Sequence, residues 1–219
     1  MTVTTEMRDG VAVVTLDDGK MNAVGHELID GLHGALDRAA ADASAVCIVG
    51  NGKALSAGFD LKVMQGGDVD AMVGLVNAGG RLIMRLFAHP QPTVVAVNGH
   101  ALAAGALLVL ACDTRIGTPG AAKIGLNETA IGLALPEFAY ELAAVRLSTR
   151  YLTRAAIQAE IFDPAGAVAA GYLDRLEDDC AAAAVAEATR LAQLPANAYA
   201  GTKASLRQPL VDRVLANLA

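Results

Sequence analysis

Asn98-Gly99-His100-Ala101-Leu102-Ala103-Ala104-Gly105-Ala106 is the stretch on which the chain turns. Thr93-Val94-Val95-Ala96-Val97 precedes it, a β-branched run that predicts a buried strand. Asn98-Gly99 ends that strand with turn residues, and Leu102 to Ala111 is apolar all round, which predicts a buried helix. A strand that feeds a turn and then a helix start leaves backbone N–H groups beyond the reach of any helical carbonyl. Small side chains let a ligand approach those groups, and the helix dipole adds partial positive charge there. Such a place suits an oxyanion or a phosphate. Taken alone, the stretch favours a close helix–sheet packing contact.

A chain of 219 residues can bury one substantial core with a small appendage. At 54% hydrophobic and 18% charged it is globular, and with 4% aromatics and no Trp its core must be built from Ala, Leu and Val. The net charge of -6, with no basic block, argues against a nucleic-acid partner. Cys47, Cys112 and Cys180 are odd in number and far apart, as expected of buried free thiols in a reducing compartment. No basic region or apolar run opens the chain, so no signal peptide is expected. The longest apolar run, Ala101–Ala111, is short of the roughly 20 residues that span a bilayer, so a cytoplasmic protein without a membrane partner is expected.

Outward from the central stretch, Val3–Met7 and Val11–Leu16 flank Asp9-Gly10, a hairpin signal. Leu28, Leu32 and Leu36 predict a helix from Asn22 to about Ala41, and Val46–Val49 a strand. The loop Gly50-Asn51-Gly52-Lys53 leads to Ser56-Ala57-Gly58-Phe59-Asp60, a second small-residue segment able to present free N–H groups. Asp68 caps a predicted helix running to about Phe87. Thr114–Gly117 reads as a strand, and Pro136 opens a helix at its first-turn position. Ser148 or Thr149 is the expected cap of the next short helix. Asp163-Pro164 starts a helix closed by Gly171, and Tyr172–Leu176 is a last strand. Ala181–Leu194 and Ala196–Leu218 read as helices split by Pro195. Strands alternating with helices predict an α/β fold with a largely parallel sheet and a helical tail. Ligands in such folds favour the crevice beyond the carboxyl ends of the strands, which both small-residue segments reach.

Several familiar sites are absent. Gly50-Asn51-Gly52-Lys53-Ala54-Leu55 lacks the third Gly of a dinucleotide loop, no P-loop or G-x-S-x-G occurs, and the four His residues have no metal spacing. No metal site is expected. His100 reads as a structural turn residue. Glu128 is set in Ile124-Gly125-Leu126-Asn127-Glu128, and a carboxyl in an apolar pocket has its pKa raised by desolvation, which suits a proton shuttle. Taken alone, the segment favours a helix-start acid or a salt-bridge partner.

Together these motifs resemble the crotonase superfamily, also called enoyl-CoA hydratase/isomerases. The resemblance is carried by the order and spacing of Lys20–Ala23, Ser56–Lys62, Asn98–Gly105, Ala111–Arg115 and Gly125–Glu128. It implies an α/β crotonase (ClpP-like) spiral of ββα turns over residues 1–177, and a shortened helical tail over 178–219 used in trimerisation. It implies a thioester enolate held by two backbone N–H groups, those of Phe59 and Ala104. Ala103 and Ala104 replace the family's usual glycines, which an N–H tolerates if the backbone angles are ordinary. The coenzyme A part of the substrate is expected near Ala23, Ala57, Asp60, Leu61 and Lys62.

Hydratases of the family use two glutamates; one matches Glu128, whereas the other falls at Leu107. The Ile124–Thr129 segment looks more like that of the mitochondrial-type Δ3,Δ2-enoyl-CoA isomerases, which work with one. The expectation is therefore an enoyl-CoA isomerase of fatty-acid metabolism with Glu128 as acid and base, an acyl-CoA substrate and no further cofactor. The alternatives are an enoyl-CoA hydratase, with Glu137 as the nearest replacement acid, and a non-catalytic acyl-CoA-binding protein.

Overall fold

The computed structural model describes residues 2–218; the expected domain limits at 1 and 219 lie outside them. Strands β1 (Val3–Arg8) and β2 (Val11–Leu16) form the expected hairpin, in register from Val3 opposite Leu16 to Arg8 opposite Val11. The turn residues Asp9 and Gly10 both have positive φ, as a two-residue hairpin turn requires. Helix α1 (His26–Asp42) follows, starting four residues later than expected because Asn22 has a φ of 52°. The chain then repeats one pattern. Strands β3 (Ala45–Val49) and β4 (Ala54–Ser56) precede helices α2 (Leu61–Met64) and α3 (Val69–Phe87). Strands β5 (Thr93–Val97) and β6 (His100–Leu102) precede α4 (Ala104–Ala111). Strands β7 (Thr114–Gly117) and β8 (Ile124–Gly125) precede a 3-10 turn (Thr129–Ile131) and α5 (Glu137–Arg146).

In each repeat the first strand joins a six-stranded sheet, which is completed by β9 (Arg175–Leu176) and ordered β1-β2-β3-β5-β7-β9. The second strand joins a separate three-stranded sheet, β4-β6-β8. Beyond the hairpin every pairing between these strands is parallel. The result is a spiral of ββα turns, as the resemblance implies. The central helix starts at Ala104 rather than Leu102 because His100–Leu102 is the middle strand of the small sheet.

Strand alternation sorts the large sheet's two faces. Ala12, Val14, Val46, Ile48, Val95 and Val97 face the main core under α1, α3 and α4. Val11, Val13, Ala45, Cys47, Val94 and Ala96 face α7 (Cys180–Leu191), which buries Cys180, Ala184, Ala188 and Leu191 against them. The start of the expected tail is thus the second cover of the sheet, and its alanines let the helix come close. All three cysteines are free and buried, and burial raises the thiols of Cys47 and Cys112 to about 12.

Asp163 caps α6 (Pro164–Ala170), which Gly171 closes at a φ of 91°. Tyr172 and Leu173 lie outside β9, so the last strand is shorter than expected. The segment read as a helix capped by Ser148 or Thr149 is a π-turn, Thr153–Ile157, with no side-chain cap. Pro136 sits at the N-cap of α5 rather than inside it. Helix α8 (Ala196–Asn217) is held by a buried charge cluster. Lys203 Nζ lies 2.6 Å from Asp113 Oδ2 and Arg207 2.7 Å from Oδ1, while the Tyr199 hydroxyl donates to Oδ2.

Candidate active site

The segment after β4 is fixed almost atom by atom. Ser56 Oγ accepts from Gly58 N at 3.2 Å, and Ala57 N donates to Met21 O at 2.9 Å. Val24 N donates to Gly58 O and Asp60 N to Val24 O, so residues 21–24 run beside 57–60. These bonds use the amides on both sides of Phe59. The Phe59 N–H itself donates to no acceptor among the described residues. The Phe59 ring lies against Gly79 of α3, where a Cβ would stand 2.4 Å from it.

The second amide belongs to the start of α4. Ala103 N donates to Gly125 O of β8, and Leu107 N to Ala103 O. Ala104, the first residue of α4, has an N–H with no acceptor among the described residues, as helix geometry leaves it. The two segments touch: a Cβ on Gly58 would meet Ala103 Cβ at 2.9 Å and stand 3.7 Å from Ala104 N. At Gly105 a Cβ would come within 2.1 Å of Ser56 O, so α4 packs on β4 only because residue 105 has no side chain.

The expectation of ordinary backbone at the replaced glycines is corrected at Ala103. It has φ 51° and ψ -123°, a region that L-residues rarely enter and that costs about 1–3 kcal/mol. The strain is stored at the residue that aims the Ala104 amide.

Glu128 follows β8 and opens the 3-10 turn, its carbonyl accepting from Ile131 N and Leu133 N. It is 8% exposed, and its Oε2 is buried with no hydrogen-bond partner. Burial raises its pKa, and the neighbouring amides of Glu128 and Asn127 only partly oppose the rise. Asp113 is nearly as deep, yet its pKa is lowered: burial would raise it, but Lys203 and Arg207 outweigh that. Glu128 has no such cation and is the only carboxylate among the buried polar residues described. Leu107 is buried on α4 and carries nothing that bonds water.

At the rim, Ala23 and Ala57 are exposed on the adjoining segments 21–24 and 57–60, with Leu61 and Lys62 exposed beyond them on α2. Asp60 instead caps α2, accepting from Lys62 N at 2.9 Å. Glu137 accepts from Asn217 Nδ2 at 2.9 Å and so ties α5 to the end of α8. His100 Nδ1 accepts from Lys123 N, the structural role expected of it. Sequence reasoning passed over Asn127 and Tyr172, whose side-chain oxygens are buried and unpartnered. Asn127 lies inside the Gly125–Glu128 motif but was given no role there, and Tyr172 lies in no motif; the only other signal is a polar group among apolar neighbours.

A ββα spiral whose second strands form a small parallel sheet, β4-β6-β8, with Phe59, Ala104 and the buried Glu128 each following one of these strands, defines a protein of the crotonase fold. The chain belongs to the enoyl-CoA hydratase/isomerase family, whose model matches residues 6–219. An enoyl-CoA hydratase/isomerase family protein from Pseudomonas syringae superposes with a TM-score of 0.95 at 41% identity, over 99% of this chain and 95% of that one. The human mitochondrial delta3-delta2-enoyl-CoA isomerase gives 0.93 at 27% identity, over 99% and 87%. A probable enoyl-CoA hydratase of Bacillus subtilis is 35% identical over 133 residues, 59% of this chain and 50% of that protein. The match thus spans about half the length of that relative.

Proposed function

We propose that this protein is an acyl-CoA enzyme, a Δ3,Δ2-enoyl-CoA isomerase that works with one glutamate. The observation that carries the reading is Glu128: buried, without a cation, and with a raised pKa. As carboxylate, Glu128 removes a proton from C2 of a 3-enoyl-CoA. The C2–H electrons form the C1–C2 double bond of a dienolate, and the charge moves to the thioester oxygen. The N–H groups of Phe59 and Ala104 hold that oxygen, each donor contributing a few kcal/mol where the charge develops. Glu128, now protonated, returns the proton at C4, and the double bond rests between C2 and C3. The coenzyme A moiety lies along the rim at Ala23, Ala57, Leu61 and Lys62, with Asp60 shaping the loop. The assembly that goes with this reading is a homotrimer.

The solved human isomerase supports the reading by its name, and the Bacillus relative's name supports hydration instead. Hydration needs a second polar group to orient water; Leu107 has none, and Glu137 is engaged by Asn217. Glu128→Gln keeps the shape and removes the base. Isomerisation should fall by at least ~100-fold, the usual worth of a positioned acid–base group, with binding of a saturated acyl-CoA retained. Full activity in this variant would remove Glu128 from the mechanism, and a wild type that binds acyl-CoA without turnover would make the protein a carrier.

A further inference from the structure

Four buried side-chain atoms among the described residues have no hydrogen-bond partner: Asn98 Oδ1, Asn127 Oδ1, Glu128 Oε2 and the Tyr172 hydroxyl. Buried polar groups without partners are rare enough that each calls for a cause. The last three belong together. Tyr172 is 0% exposed, and its ring lies 5.9 Å from that of Phe162. Phe162 exchanges both backbone hydrogen bonds with Ile124 of β8, the strand that leads into Leu126-Asn127-Glu128. The tyrosine is thus set against the segment that delivers the glutamate.

We propose that Tyr172 is a positioning residue for Glu128, its hydroxyl acting on the inward carboxylate oxygen through one bridging water. The inference rests on the reading of Glu128 as the proton carrier. The donor count closes. Glu128 Oε2 and Asn127 Oδ1 are acceptors, and the phenol supplies the one donor among the three. A water accepting from Tyr172 and donating to the two oxygens makes three bonds, the usual number for a buried water. When Glu128 carries the proton, the same water and phenol turn to accept, so the contact serves both protonation states. Burial raises the Tyr172 phenol most; the nearby Leu126 amide, too poorly placed to make a full hydrogen bond, opposes the rise, and the charge of Glu128 adds to it, so the two groups feel each other. No charged side chain among the described residues bonds to either group. The pair Arg154–Glu160, near Tyr151, satisfies itself.

The test follows the Glu128 carboxyl by infrared titration, its band identified by loss in Glu128→Gln. Tyr172→Phe removes the donor and keeps the ring, so the midpoint should rise by about one pH unit, because the ionised carboxylate loses a hydrogen bond. Replacing tyrosine by 3-fluorotyrosine makes a stronger donor of nearly the same size, so the midpoint should fall. In activity, the acid limb of kcat/KM should move in the same two directions. A midpoint that stays in place in both proteins would overturn the proposal. Should Tyr172→Phe fail to fold, the fluorinated protein decides alone. A wild type that isomerises no 3-enoyl-CoA while the band still moves would sink the assigned reaction and support the coupling.

Discussion

Glu128 and Asp113 show how one kind of side chain is given two roles by its surroundings. Asp113 is held charged by Lys203 and Arg207 and anchors α8. Glu128 faces no cation among the described residues, so burial raises its pKa and penalises the ionised form in the fold. The sign for stability follows from linkage: the folded state binds the proton more tightly than the unfolded state, whose carboxyl titrates near the ordinary 4.5. Ionised Glu128 therefore costs stability, and the cost grows as pH rises from the unfolded value through the folded one. Glu128→Gln should melt at the same temperature as the wild type below pH ~4 and higher than it near neutrality. A variant less stable than wild type at pH 7 would show that the carboxylate is paired. Glu128 was legible in the sequence as a carboxyl among apolar neighbours. Tyr172 was not, because nothing local distinguishes a buried hydroxyl short of a partner from a strand residue.

At the scale of elements, the site depends on the two-step entry into α4. Strand β6 must stop and α4 begin within one residue, and Ala103 makes the change at φ 51° and ψ -123°. Glycine adopts those angles without strain. Ala103→Gly should therefore stabilise the protein by about 1 kcal/mol, read as a rise of a few degrees in Tm. Isomerase activity should be retained, since the Ala104 amide keeps its aim. Destabilisation would mean that the alanine methyl, packed toward Gly58, is worth more than the strain. The long strands and helices were legible because their β-branched runs and leucine spacing are periodic. The small sheet was not: β4, β6 and β8 are two or three residues each, mostly Ala, Gly and Leu, and too short to show a period. Their pairing is set by the larger repeats that bring them together. That same pairing turned the expected helix start at Leu102 into strand.

For the whole molecule, α7 closes the back of the large sheet, while α8 reaches across to α3 and α5 and is tied down by Arg81 on Leu218 O and Glu137 on Asn217. Leu206, 77% exposed on α8, and Leu194, 44% exposed before it, remain outside this packing. The proposed trimer should appear in light scattering as three times the 22.3 kDa mass at micromolar concentration. A 22.3 kDa particle there would refute it. The whole account turns on one carboxylate moving a proton between two carbons without activating water. The measurement that tests this most directly is a side-by-side assay of purified wild type on a 3-enoyl-CoA and on the corresponding 2-enoyl-CoA. Isomerisation at least ~100-fold faster than hydration is the predicted result, since a missing acid–base partner is worth that much. Hydration as fast as isomerisation would contradict it.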